Sequence, residues 1–172
     1  MAKAYFVAGL AGSGKSYYSR KIAKELDLQI IDFDDNFNEF LAGHKDEYEE
    51  LGSEKFLAIY ASTRYTDLIN RAVNELEKNV SVVIAAPFTK QMQDQKLWDE
   101  LISPIKKFDS NPTLYWVVIS DEIRKKRLIT RGEKRDAEKI KKIDEYIRLS
   151  PAKPPVVEHI LVKGDKGIEL AQ

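Results

Sequence analysis

The stretch GLAGSGKS, residues 9–16, follows the apolar run AYFVA and concentrates three of the 8 glycines of the chain. It fits the spacing G-x-x-x-x-G-K-[ST], with Gly9, Gly14, Lys15 and Ser16 in the fixed places. A loop that leaves a strand and enters a helix can wrap its backbone N–H groups around a phosphate only where side chains are missing, and the helix N-terminus adds a favourable partial charge. Ala11, Gly12, Ser13 and Tyr17 complete the segment expected to line such a site. Lys15 would reach the β- and γ-phosphates of a nucleoside triphosphate, and the Ser16 hydroxyl would ligate the bridging magnesium ion. The competing reading is a glycine-rich turn that merely joins strand to helix.

Such a loop does not decide what becomes of the γ-phosphate. Ligands in open α/β sheets bind at the carboxyl ends of the strands, and there the stretch IIDFDDNF supplies Asp32, Asp34 and Asp35. Phosphoryl transfer to a hydroxyl needs one carboxylate on or near the metal and another to accept the hydroxyl proton. Asp34 is the candidate base and Asp32 the candidate metal holder, while Asp35 has the alternative of only capping the next helix. The run VSVVIAAPFT ends without the acid that many nucleotide hydrolases carry at this place, which counts against a motor or switch ATPase. No N-K-x-D guanine-reading signature occurs, and the second half is too short for the helical lid domain of a ring ATPase.

A third group is basic. Residues 124–142, RKKRLITRGEKRDAEKIKK, hold ten Lys or Arg against three acids. A solvated helix face is the ordinary explanation of such a run. Here Arg124, Arg127 and Arg131 recur at helical spacing, Gly132 breaks the helix, and Arg135 follows. Arginines on a glycine-hinged lid over about 124–136 would stabilise the charge on a transferring phosphoryl group as the lid excludes water. In that arrangement Arg127 stacks on the adenine, and Arg131 and Arg135 face the phosphates as catalytic groups.

The elements that must position these groups follow from hydropathy. Apolar, β-prone runs at 4–8, 28–32, 80–86, 113–119 and 158–162 alternate with stretches of helical spacing at 15–26, 35–42, 53–78, 94–107, 121–131 and 135–149. This alternation predicts an α/β fold, a parallel sheet with helices on both faces, because parallel strands need crossovers and are buried on both sides. Ser120 and Asp121 offer an N-cap to the helix at 121, and SPAKPP must end the helix before 150. A chain of 172 residues suffices for one sizeable domain. With 28 basic and 28 acidic residues, no whole-molecule field points to nucleic acid or a membrane. The absence of cysteine excludes disulfides and thiolate metal sites. The N-terminal apolar stretch is too short for a signal peptide, and no run approaches the ~20 apolar residues of a membrane span. A cytoplasmic protein is therefore expected.

GLAGSGKS, DFDD, APFTKQMQDQKLW and LYWVVISDEIRKKRLITRGEKRDAEK, in this order, resemble the small bacterial AAA-type ATP-binding proteins of the P-loop kinase superfamily, a group similar to shikimate, gluconate and nucleoside monophosphate kinases, zeta toxins and the kinase domain of polynucleotide kinase. The resemblance spans about residues 4–165. It implies the P-loop NTPase fold, a five-stranded parallel sheet in the order 2-3-1-4-5 with a helical lid, and transfer of the ATP γ-phosphate, with Mg2+, to a small acceptor. It also implies that the missing acid after the third strand is a feature of the subgroup.

The acceptor site is expected between DFDDNFNEF and the helix at 53–78, closed by PFTK. Arg64 with Tyr65 has two readings, a clamp for an anionic group of the substrate or ordinary packing, and Lys90 has the same two. Tyr17, Tyr18, Phe33, Phe37 and Phe40 read as core rather than as a base-stacking platform, and His44 and His159 as isolated. Beside a kinase for a small molecule or nucleotide stand two further readings. One is a 5′-hydroxyl nucleic-acid end kinase using the basic run as a phosphate track, and the other is an ATP-binding regulatory module with slow hydrolysis.

Overall fold

Strands β1 (Ala4–Ala8), β2 (Gln29–Asp32), β3 (Val82–Ala86), β4 (Thr113–Val118) and β5 (Ile160–Lys163) pair in parallel in the order β2-β3-β1-β4-β5 in this computed structural model, which describes residues 1–133 and 136–164. The order is the one the resemblance implies. Central β1 has Val7 opposite Ala85 of β3 on one side and Tyr115 of β4 on the other. The loop that leaves β1 therefore emerges at the middle of the carboxyl edge, and the loop after β2 emerges two strands away.

All five residues of β3 are buried, as a strand covered on both faces requires. On one face Phe6 meets Phe88 and Trp98 edge-on, with centroids 5.6 and 5.1 Å apart, above Leu68 and Ile105. On the other, Val7, Val83 and Val117 pack against Ile22 and Ala23 of α1 (Lys15–Leu26).

The remaining helices are α2 (Phe37–Gly43), α3 (Lys45–Leu51), α4 (Ser53–Glu77), α5 (Gln95–Ile102), α6 (Asp121–Arg131), α7 (Ala137–Lys141) and α8 (Ile143–Leu149). The helices expected at 15–26, 53–78 and 121–131 stand within a residue of those bounds. The one expected at 94–107 ends at Ile102, ahead of Pro104, and a separate 3-10 turn follows at Ile105–Lys107. The one expected at 135–149 is two helices, with Lys142 outside helical geometry between them. Helix α3 was not foreseen, because its seven residues KDEYEEL bury nothing and carry no apolar stripe. Ser120 caps α6 as expected, its Oγ accepting from the Ile123 N–H at 3.3 Å, and Gly132 closes the helix with φ 55°. Among the described residues no helix is long and apolar enough to cross a membrane.

Candidate active site

Gly14 caps α1 at φ 97°, a left-handed conformation that disfavours any side chain. A Cβ there would stand 2.7 Å from the Arg127 guanidinium, so the glycine also leaves room for that side chain. Gly12, at φ 81°, is pressed from below, where a Cβ would come within 3.0 Å of the Arg124 stem and its carbonyl oxygen. Ser13 is buried, its N–H donating to the Leu10 carbonyl at 3.0 Å, and Gly9 leaves β1 beside the Val117 carbonyl. Lys15 is only 9% exposed and lines a cavity together with Ala11. Ser16 and Tyr17 are half-buried in the first turn of α1, where backbone N–H groups have no helical acceptor.

The acidic loop after β2 is stapled to α4. Arg64 and Arg71, seven residues and therefore two turns apart on one face of α4, donate to the Phe33 and Asp32 carbonyls at 3.1 and 3.2 Å. The Phe33 ring is sandwiched, with Tyr65 stacked at 4.6 Å and the Arg64 guanidinium 3.9 Å from its centroid. Within the loop, the Asp32 carboxylate accepts from the Asp34 N–H at 2.8 Å. Burial pushes the Asp32 carboxyl above its usual range, and the charges of Asp34 and Asp35 act in the same direction, while the Asp34 N–H and the Lys15 charge oppose the shift. Asp34 turns toward α4, with Oδ1 3.7 Å from Arg64 Nη2. Burial lowers the Arg64 guanidinium from its usual value, and Asp34 acts against that.

Asp35 departs from the capping expectation. It is exposed, Asn36 holds the N-cap position of α2, and the Asp35 carboxylate accepts from the Asp32 N–H at 3.3 Å. Its local bond therefore tightens the acidic loop itself.

A cavity of about 280 Å³ joins these parts, with Lys15, Asp34, Arg64, Arg131, Asp136 and Lys139 as its charged walls and Phe33, Phe37, Leu57 and Pro87 among its apolar ones. Asp136 and Lys139 went unrecognised in the sequence. Asp136 is wholly buried and accepts from Arg131 Nε at 2.9 Å and Lys139 Nζ at 3.2 Å. The available signal was an acid enclosed by a run of bases.

The basic run is largely paired rather than poised. Arg124 is 1% exposed and donates to Ser150 Oγ at 2.9 Å, and Leu128 beside it is fully buried. Helix α6 is thus pinned at Arg124 to Ser150, at the end of α8, and to the phosphate loop, so this arginine packs rather than faces a phosphate. Arg127 lies over the loop, with Nη1 3.4 Å from the Gly12 carbonyl and Nη2 3.2 Å from that of Gly164. Arg131 reaches the cavity, whereas Arg135 lies outside the described residues. Lys125, Lys126 and Lys141 bridge to Asp144, Glu122 and Glu138.

Lys90 is exposed and absent from the cavity walls, because Phe88, at φ 50°, drives its own ring into the core and turns the following residues outward. Tyr65 serves packing, its hydroxyl accepting from the Phe88 N–H at 3.0 Å. Tyr18 packs on the α1 side of the core, and Phe40 clusters with His44, Phe56 and Tyr60 beneath α2. His159 lies edge-on to Trp116.

The same fold occurs in distant proteins. A candidate kinase from Chloroflexus aurantiacus superposes with a TM-score of 0.60 at 16% identity, covering 94% of this chain and 84% of that one. A sugar kinase from Janibacter sp. HTCC2649 gives 0.58 at 16% identity over 99% and 92%. Shikimate kinase from Aquifex aeolicus gives 0.51 at 19% identity over 98% and 94%. No curated protein matches the sequence. A family model described as an AAA domain matches residues 5–148, a span that holds the phosphate loop, the acidic loop, α4 and the α6–α7 segment. With that match over most of its length and a five-stranded parallel sheet in the order 2-3-1-4-5, the chain belongs to the AAA domain family and has the P-loop NTPase fold.

Proposed function

We propose that the protein is an ATP-dependent phosphotransferase that moves the γ-phosphate to a hydroxyl or phosphate of a small acceptor held between the acidic loop and α4. The observation that carries this is the convergence of Lys15, Asp34, Arg64 and Arg131 on one cavity beside the glycine loop. A nucleotide hydrolase needs no second pocket, whereas a kinase must seat its acceptor hydroxyl in line with the transferring phosphorus.

Within that site the glycine loop and the first turn of α1 cradle the β-phosphate, and Lys15 neutralises charge on the β- and γ-oxygens. Arg127, lying over the loop, borders the place of the nucleotide base, and Arg131 meets the equatorial oxygens. Asp34 accepts the acceptor's hydroxyl proton, and Arg64, 3.7 Å away, orients that carboxylate and attracts an anionic acceptor. Ser16 and Asp32 would hold Mg2+, which would supply charge neutralisation on the phosphate oxygens. A hydroxyl and a single half-buried carboxylate would suit a hard cation that keeps its waters and binds phosphate.

Among the described residues of the basic run, Lys125, Arg131, Lys139 and Lys141 pair with neighbouring acids, which favours a small acceptor over a nucleic-acid end. The test is an ADP-release screen against sugars, sugar acids, nucleosides, nucleoside monophosphates and 5′-hydroxyl oligonucleotides. A small acceptor that stimulates release and gains phosphate supports the proposal. Tight ATP binding with no stimulation by any of them supports a regulatory module instead.

A further inference from the structure

The polar cavity has a neighbour. It shares Phe37, Leu57 and Lys139 with a second cavity of about 580 Å³ that runs between α2 and α4 on one wall and α7 and α8 on the other. Its apolar walls are Leu41, Tyr48, Tyr146 and Leu149, and its charged groups, Glu54, Glu138, Lys142 and Glu145, belong to residues exposed to solvent. Leu149 is 68% exposed, a large side chain with little to pack against.

A compact polyol would fill the polar cavity and leave this groove to poorly bonded water, an arrangement that gives nothing to binding. The groove adjoins the polar cavity at Phe37, Leu57 and Lys139, residues that line both, so a molecule reaching past these side chains would occupy both. The polar cavity counts four cations, Lys15, Arg64, Arg131 and Lys139, against two carboxylates, Asp34 and Asp136. With Lys15 and Arg131 engaged by ATP and Lys139 bonded to Asp136, the Arg64 guanidinium beside Asp34 is the cation placed to meet a negative group on the acceptor.

We infer, resting on the phosphotransferase reading above, that the acceptor is an amphiphilic hydroxy acid: its hydroxyl and carboxylate occupy the Asp34–Arg64 cavity and its apolar tail lies in the groove between α4 and α8. In the transfer the bond from the γ-phosphorus to the bridging oxygen breaks and its electron pair leaves with ADP. A new bond forms from phosphorus to the acceptor oxygen, whose proton passes to the Asp34 carboxylate and then to water.

The test uses β-hydroxybutanoate, β-hydroxyoctanoate and β-hydroxydodecanoate as probes, with binding followed by calorimetry and turnover by ADP release. Burying a methylene is worth about fourfold in affinity, so the octanoate is expected to bind at least about tenfold more tightly than the butanoate, and KM to fall in step. Leu149→Glu, at a site exposed enough to leave the melting temperature unaltered, is expected to weaken the octanoate about tenfold. Tail-dependent binding with no ADP release upholds the groove and sinks the phosphotransfer reading. ADP release without dependence on tail length, or stimulation by adenosine or uridine in place of every hydroxy acid, overturns the amphiphilic acceptor and leaves phosphotransfer standing. Failure of all three acids to bind overturns it as well.

Discussion

The Asp34 carboxylate and the Arg64 guanidinium face each other at 3.7 Å inside the cavity, and Arg64 is fixed there by a bond to the Phe33 carbonyl and by the Phe33 ring beneath it. The pairing holds the carboxylate facing the cavity, where an acceptor hydroxyl would meet it. Asp34→Asn keeps the shape and loses the basicity, so kcat with an identified acceptor should fall by roughly 10² to 10⁴ while ATP affinity stays near that of the unaltered protein. Rapid-quench phosphorylation measures the first and calorimetry the second. Full activity in the variant would move the base elsewhere, and exposed Asp35, already engaged by the Asp32 N–H, is a poor replacement.

Lys15 is enclosed, with 9% of its surface exposed. Lys15→Ala therefore removes packing along with charge, and Lys15→Met separates the two. Both variants should lose turnover, and Lys15→Met should melt within a few degrees of the unaltered protein. Turnover retained by Lys15→Met would overturn the phosphate-loop assignment.

Much of this site was legible because its signals are local. The glycine loop, the three aspartates and the 25-residue helix α4 are written in consecutive residues, and their spacing carries their chemistry. What was not legible depends on pairings across the chain. Arg124 reads as one arginine of a lid stripe, yet it packs on the Gly12 backbone and bonds to Ser150. Lys90 has two readings in the sequence, anion binder or ordinary surface, and the fold turns Phe88 inward and leaves the lysine in solvent. Asp136 reads as one of three acids in a basic run, and only the fold brings its carboxylate onto Arg131.

Asp32 has a raised pKa chiefly because burial disfavours its charge. A carboxyl raised in the folded state adds stability fully present below its ordinary range, which is lost as pH climbs through the raised value. Above that value the ionised side chain is a burden on the fold. Asp32→Asn, whose amide oxygen can still accept from the Asp34 N–H, should therefore raise the melting temperature at neutral pH and lose that advantage below the ordinary carboxylate range. The same variant should need more Mg2+ for half-maximal rate. A melting temperature that drops at neutral pH would contradict the electrostatic account, and an unchanged Mg2+ requirement would remove Asp32 from the metal shell.

Tyr65 joins α4 to the loop after β3 through the 3.0 Å bond from the Phe88 N–H. Tyr65→Phe leaves that donor unmet, and a loss of about 1–3 kcal/mol in denaturant unfolding is expected. Burial raises the phenol to about 12, so its contribution should hold up to the usual tyrosine range and fade as pH rises through about 12.

Asp136, wholly buried, ties Arg131 and Lys139 together at the cavity wall. Two roles are open to such a carboxylate. It can hold Arg131 where the γ-phosphate arrives, or it can keep the guanidinium occupied until a ligand displaces it. Because Arg131 already lines the cavity with Lys15, the first role is expected. Arg131→Ala should then lower kcat by about 10²-fold, the usual cost of one donor to a developing anion. Asp136→Asn should lower kcat to a similar degree with little change in KM for ATP, since the arginine remains but loses its orientation. In the double variant the two losses should coincide rather than multiply, because both remove one interaction. A kcat that rises in Asp136→Asn would establish the restraining role, and losses that multiply would show that Asp136 acts through Lys139 or through the fold, independently of Arg131.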